Sequence, residues 1–251
     1  MSKIISIHSF RGGTGKSNTI ANVAALMAAD GQRVGVIDTD IQSPGIHILF
    51  GLAGQQIEHS LNDYLWGRGS IEEAVYDVTS NLAGNIKGKL FLIPCSIQAD
   101  EIVTVLRQGY DVSLLTSGFR KLIQALALDV LMIDTHPGLN EETLFSIAIS
   151  HTLAILMRPD QQDYEGTGVT VEVARSLDVP RMLLIVNKTP TTLDPSEVKT
   201  HVEQTYNCQV AAILPHADEM MDLASKGIFA LRYPNHPLTD LYKQVVDKLM
   251  A

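Results

Sequence analysis

The chain has little cysteine, few aromatic residues and no excess of positive charge. Its two cysteines, Cys95 and Cys208, lie far apart and form no Cys-x-x-Cys pair, which argues against a zinc ribbon, an iron–sulfur scaffold or a disulfide framework. Lys and Arg number 19 against 28 Asp and Glu, a formal net charge of −9. Any grip on DNA or on an anionic membrane therefore has to come from a local patch. No run approaches the roughly 18 uninterrupted apolar residues of a transmembrane helix. The apolar stretch within Met1 to Ile7 is too short for a signal peptide. No internal repeat, low-complexity tract or Pro/Ser-rich linker divides the 251 residues. What is present is 45% hydrophobic and 19% charged residues, enough for a sizeable core. These balances predict one domain over residues 1–251, in the cytoplasm.

Short apolar runs alternate with segments of helical period. Ile4 to His8, Val34 to Ile37, Leu90 to Ile93, Val130 to Ile133, Leu153 to Met157, Met182 to Val186 and Val210 to Leu214 read as about seven strands. They do not alternate with polar residues, which suits strands covered on both faces. Between them, Ile20, Val23, Ala24, Met27 and Ala28 form one helical stripe, closed by Asp30-Gly31. Val103, Leu106, Leu114, Leu115, Leu122, Ile123 and Leu126 belong to one or two further helices, and Val169, Val171, Val173 and Ala174 to another. The alternation predicts a doubly wound, mostly parallel α/β sheet, with ligands beyond the carboxyl ends of its strands.

Phe10-Arg11-Gly12-Gly13-Thr14-Gly15-Lys16-Ser17-Asn18 follows the first strand and opens the first helix. Glycines let backbone N–H groups close around phosphate oxygens. Lys16 brings charge to the β and γ phosphates, and the Ser17 hydroxyl is a ligand for Mg²⁺. The strict phosphate-loop pattern has glycine where this chain has Phe10. Asp38 and Asp40 follow the second strand, placed on one side of it at the carboxyl edge. Val130 to Ile133 then lead into Asp134. Carboxylates beside a phosphate loop hold Mg²⁺ or its waters, or orient a water for attack on the γ phosphate. His136 follows in Asp134-Thr135-His136-Pro137-Gly138. Phosphoryl transfer rests more on positioning and charge than on a proton acceptor, so His136 is not assigned as a base. The remaining histidines show no metal-ligand spacing.

Gly12-Gly13-Thr14-Gly15-Lys16-Ser17 resembles the deviant Walker A loop of the ParA/MinD ATPases, a P-loop NTPase family. The resemblance runs from about residue 3 to 250 and is most specific in this loop. It implies Mg-ATP as ligand, with Gly12, Gly13, Thr14, Gly15, Lys16, Ser17 and Asn18 around the phosphates. The family carries a signature lysine before the paired glycines that reaches the partner's ATP in a nucleotide-sandwich dimer. Arg11 stands there and keeps the charge, with a planar fork added. The resemblance makes Asp38 to Gly45 switch I, with Asp40 at the hydrolytic water and Asp38 near the metal's water shell. It makes Asp134 the Walker B carboxylate, near Mg²⁺ through water, and Gly138 part of switch II. Catalysis would fall to Asp40, Lys16 and Arg11, and the metal to Ser17, Asp38 and Asp134.

Ile185-Val186-Asn187-Lys188 ends the sixth predicted strand, and an Asn there can both donate to and accept from an adenine edge. The family uses its matching Asn so. Pro215 and the residues after it, Asp218 included, resemble the segment that lines the adenine face. Iron–sulfur carriers share the style of Asp38 to Ile46 but need paired cysteines at a dimer interface, as do nitrogenase-reductase-like proteins. MinD-like members end in a basic amphipathic helix. Here Leu238, Leu241, Val245 and Leu249 make the stripe, while Asp240, Lys243, Asp247 and Lys248 cancel. Core packing is expected, against a membrane role. Lys226, Arg232, Lys243 and Lys248 leave nonspecific DNA open as a partner.

The expectation is thus a Mg-ATP-dependent, dimerising ATPase that acts as a switch for positioning or partitioning a cargo, with a protein activator or cargo adaptor. The alternatives are a metabolic enzyme that activates a carboxylate with ATP, like dethiobiotin synthetase or cobyrinate amidase, and a weakly hydrolysing, nucleotide-dependent scaffold.

Overall fold

The computed structural model describes residues 2–251, with Leu106 described for its backbone only. The seven apolar runs form β1 (Lys3–His8), β2 (Arg33–Asp38), β4 (Lys89–Ile93), β5 (Val130–Asp134), β6 (Thr152–Met157), β7 (Met182–Thr189) and β8 (Val210–Pro215). A further strand, β3 (Tyr76–Asp77), pairs antiparallel with β4 at one edge. At two residues it is too short to show a hydrophobic period. The eight strands run in the order β3-β4-β2-β5-β1-β6-β7-β8, and every pair except β3–β4 is parallel.

The runs do not alternate because both faces are covered. Ile5, Ile7, Val34, Val36, Val130 and Met132 share one apolar cluster. Their sequence neighbours Ile37, Leu131 and Ile133 join a second on the opposite face, and Leu153, Ile155 and Met157 a third. The period of two thus shows up as two different partners, not as an apolar and a wet side. Helices α1 (Lys16–Ala29), α2 (Ala99–Gln108), α3 (Ser113–Ala125), α4 (Glu141–Ala148), α5 (Gln161–Ser176), α6 (Pro195–Tyr206) and α7 (Pro237–Met250) supply those covers. The apolar residues between Val103 and Leu126 divide between α2 and α3. In α5 the inward residues are Val171 and Ala174, whereas Val169 is exposed. In α7, Leu238, Tyr242, Val245 and Leu249 are buried against α1, as core packing requires.

Side chains start several of these helices. Asn140 accepts from the Thr143 amide at α4 and Asp160 from the Asp163 amide at α5. Asp194 accepts from the Ser196 and Glu197 amides at α6, where Pro195 opens the first turn. Helix α1 differs. Its N-cap is Gly15, in the left-handed region at φ 101°, and no side chain caps it. Its first amides therefore stay available, at the carboxyl end of β1 where the strand order switches between β5 and β6.

Candidate nucleotide site

The loop from Ser9 to Gly15 joins β1 to α1. Gly13 and Gly15 take positive φ values of 77° and 101°, which turn successive amides toward one side. The loop is held from behind by the end of β7. Asn187 Nδ2 donates to the Thr14 carbonyl at 2.8 Å, and Lys188 Nζ donates to the Gly13 carbonyl at 2.8 Å. A Cβ on Gly15 would lie 2.6 Å from Asn187 Nδ2, so this close approach needs glycine. Lys188 itself has φ 53°, at an irregularity in the β7–β8 pairing between Val186 and Thr189. That kink turns its side chain back to the loop. Lys16, in the first turn of α1, is 7% exposed. Burial, then the Lys16 charge, pushes His8 down to about 3, so its ring is neutral. Phe10, in place of the usual glycine, packs its ring on α5, where a Cβ on Gly166 would come within 2.2 Å of it.

Two carboxylates end neighbouring strands in register, Asp38 on β2 and Asp134 on β5. Asp38 Oδ1 accepts from the Asp40 amide at 2.9 Å. Asp38 Oδ2 and Asp134 Oδ1 are buried without a hydrogen-bond partner. Burial and the nearby Asp134 charge raise the Asp38 carboxyl well above the usual range. Burial pushes Asp134 up to about 6, although the Ser17 hydroxyl and the Lys16 charge pull the other way. Orphaned buried carboxylate oxygens beside a hydroxyl fit a hard divalent cation such as Mg²⁺. Among the described residues no group of three or more His, Cys, Asp or Glu side chains could hold a metal ion.

Asp40 does not continue β2 alongside Asp38. Because Asp38 accepts the Asp40 amide, the chain turns out of the strand, and Asp40 lies in the following loop. Its Oδ1 accepts from Ser43 N at 3.1 Å and Ser43 Oγ at 2.9 Å, and is 2.7 Å from His136 Nδ1. Arg11 is paired within its own chain. Its guanidinium lies 3.3 Å from Asp163 and 3.5 Å from Asp160 at the start of α5. Asp163 is buried and also accepts from the Arg158 amide and Nε.

A cavity of about 400 Å³ adjoins the phosphate loop. Gly15, Asn18, Asn187, Pro215, Met220 and Tyr242 are among its walls. This volume is of the size that small-molecule sites use. Asn187 faces it with its amide already engaged, Nδ2 on Thr14 and Oδ1 on the Lys188 amide. Asp218 is not brought in. Its side chain is 92% exposed and its carboxylate lies 3.2 Å from His216 Nε2, because the chain turns into a short helix at Asp218–Leu223 that points this residue outward. The structure therefore gathers Gly12 to Asn18, Asp38, Asp134, Asn187 and Pro215 about one crevice. Asp40 and Arg11 sit at its edges and Asp218 lies outside. Lys188 and His136 were legible as neighbours of motif residues, but nothing in their spacing says which carbonyl or carboxylate they reach.

A phosphate loop at the switch point of a doubly wound sheet, with strand-end carboxylates beside it, defines a P-loop nucleotide-binding fold. The model of the AAA domain family AAA_31 matches residues 2–178, and the chain belongs to that ParA/MinD-like P-loop family. An uncharacterised ATP-binding protein of Methanocaldococcus jannaschii is 25% identical over 252 residues, covering 100% of this chain and 89% of that protein. An iron–sulfur cluster carrier protein of Pseudomonas fragi is 26% identical over 258 residues, covering 96% and 83%. Cys95 and Cys208 of the present chain are both buried, in different apolar clusters. Among solved structures, the cell division ATPase MinD of Pyrococcus furiosus superimposes with a TM-score of 0.83 at 18% identity, over 100% of this chain and 99% of that one. Septum site-determining MinD of Pyrococcus horikoshii, complexed with Mg-ADP, gives 0.82 at 19% identity, over 99% and 96%. At such identities these superpositions speak for the fold.

Proposed function

We propose that residues 1–251 are one Mg-ATP-dependent ATPase domain that works as a switch. ATP binding joins two copies, hydrolysis releases them, and the cycle positions or partitions a cargo in the cytoplasm with the help of a protein activator or adaptor. The observation that carries this reading is the pair of orphaned oxygens, Asp38 Oδ2 and Asp134 Oδ1, on paired strand ends, with Asp134 beside Ser17 at the uncapped start of α1. That arrangement has cationic and anionic demands left open side by side, which a metal–polyphosphate complex meets together.

In this reading the amides of Gly12 to Ser17 hold the β and γ phosphates, and Lys16 neutralises their charge at low local dielectric. Ser17, Asp38 and Asp134 would hold Mg²⁺ directly or through water, and the ion would offset charge on the phosphates. Asp40 orients the attacking water. Asn18, Asn187 and Pro215 border the base. Arg11 reaches the partner's phosphates after leaving Asp160 and Asp163. The pair with exposed Asp160 is worth no more than about 1 kcal/mol, and buried Asp163 keeps the Arg158 amide and Nε when Arg11 leaves. The relatedness to an ATP-binding protein and the fold shared with a Mg-ADP-bound MinD support this reading. No helix among the described residues is long and apolar enough to cross a membrane.

Size-exclusion chromatography with ATP and with ADP, on wild type and Asp40→Ala, together with phosphate release, tests the reading. The wild type dimerises transiently with ATP, and Asp40→Ala accumulates the dimer without turnover. A chain that never dimerises on ATP, or an Asp40→Ala variant that hydrolyses at the wild-type rate, overturns it.

A further inference from the structure

Asp40 is the group on which the proposed hydrolysis depends. Its backbone is tied to the strand ends, by its own amide on Asp38 Oδ1 and by Thr39 N and Oγ1 on the Asp134 carbonyl, but its carboxylate needs donors of its own. Two of the three donors to its Oδ1, Ser43 N and Ser43 Oγ, come from the same turn and move with it. The third, His136 Nδ1 at 2.7 Å, comes from the segment after β5 and makes the shortest contact. That segment is tied to the sheet and to its neighbours. The Thr135 hydroxyl donates to the Ile7 carbonyl at 3.1 Å on β1 and lies 2.8 Å from His8 Nδ1. The Thr143 hydroxyl donates to the His136 carbonyl at 3.1 Å. His136 is therefore mounted on the frame that carries the phosphate loop, and it is the donor that ties the Asp40 carboxylate, beyond its own turn, to that frame.

We propose that His136 is a positioning residue for hydrolysis: through the Nδ1–H donated to Asp40 Oδ1 it holds that carboxylate at a fixed place relative to the phosphate loop, leaving Oδ2 to accept from the attacking water. This rests on the functional reading above. An ionised carboxylate only accepts, so the ring must carry its proton on Nδ1, and that nitrogen is engaged as a donor rather than free as a base. Loss of such an orienting contact lets the acceptor wander by an ångström or so, which is enough to slow a positioned reaction by about 100-fold. The bond adds a side-chain link between segments whose backbones already meet where Thr39 bonds the Asp134 carbonyl, so the carboxylate shares their geometry before nucleotide arrives.

Geometry supplies a discriminating set of variants. In Asn the amide Nδ2 is the same number of bonds from Cα as Nδ1 of His, while in Gln the amide nitrogen is one bond further. His136→Ala and His136→Gln should lower kcat by roughly ten- to a hundredfold, with the Kd for ATP within about twofold of wild type. His136→Asn should recover most of that kcat, which a group acting as a base could not do. On an Asp40→Ala background, His136→Ala should cause no further loss, because the two act as a unit. Thermal unfolding of each variant checks that the fold persists. The inference is overturned if His136→Ala turns over at the wild-type rate while Asp40→Ala does not, or if the Asn variant is as slow as the Ala variant. If Asp40→Ala itself hydrolyses normally, the functional reading falls as well.

Discussion

The two ends of the crevice are built differently. At the phosphate loop the walls are backbone amides, glycines held in left-handed geometry, and short carboxylates on strand ends; Gly12 and Gly13 are exposed, while Lys16, Asp38 and Asp134 are buried and both carboxylates keep an unpaired oxygen. Around the neighbouring cavity the walls are Pro215, Met220, Met221 and Tyr242, and Met221 is largely exposed. The phosphate end is set by the sheet itself, because β1, β2 and β5 place its parts in register. The cavity end depends on a six-residue helix, Asp218–Leu223, followed by two non-glycine residues at positive φ, Ala224 and Ser225. Rigid elements give a site its chemistry, and the looser end gives it room to adapt.

The sharpest way to break that comparison is Lys16→Ala. Losing a buried charge-assisted contact should weaken ATP binding by at least about 100-fold, with unfolding temperature nearly unchanged, as measured by calorimetric titration and thermal melts. Unaltered affinity would move the phosphates elsewhere.

Asp134→Asn tests the strain stored at the same end. The folded carboxyl is pushed up to about 6 from an ordinary 3.8, so the nucleotide-free fold loses stability as pH rises through that window. The neutral isostere should be more stable than wild type by about 1–3 kcal/mol at pH 8, with the gain vanishing near pH 4. It should also lose Mg-dependent turnover. Urea unfolding at the two pH values checks this, and an equal gain at both would refute the electrostatic origin.

Lys188→Ala probes the join between the ends. Removing its bond to the Gly13 carbonyl should weaken ATP and GTP binding alike, by about two- to tenfold. A change in the ATP-to-GTP ratio would instead place Lys188 on the base. The smallest effect belongs to Arg11→Ala. It should leave monomer stability within about 1 kcal/mol and ATP affinity within about twofold, while weakening the ATP-dependent dimer seen by sedimentation. An unchanged dimer fraction would confine Arg11 to its pairs with Asp160 and Asp163.

The same contrast governs what was legible in the sequence. Strand ends, glycines and Lys16-Ser17 are contiguous, so Gly12 to Asn18, Asp38 and Asp134 could be read from local spacing alone. The sheet was legible because runs covered on both faces stay apolar at every position, as in β5 and β6. β3 was not, since two residues carry no period. The cavity end is assembled by long-range packing, so Asp218 read as a wall although its helix turns it outward. Asn187 read as a base contact alone, although its amide is already bonded to Thr14. The pairing of His136 with Asp40 spans 96 residues and leaves no mark on either segment.

Helix α1 follows the phosphate loop directly, yet part of its cover comes from α7, more than 200 residues later. Asn22, buried on α1, accepts the Ala230 amide at 2.7 Å from 208 residues away, and Tyr242, Val245 and Leu249 close over Ile20, Val23 and Met27. During translation the phosphate loop therefore leaves the ribosome long before the segment that buries its helix. Until α7 docks, α1 has its cover from the sheet but not the one that Tyr242, Val245 and Leu249 supply. A nascent chain should therefore bind nucleotide at full strength only after α7 has been made and has docked on α1.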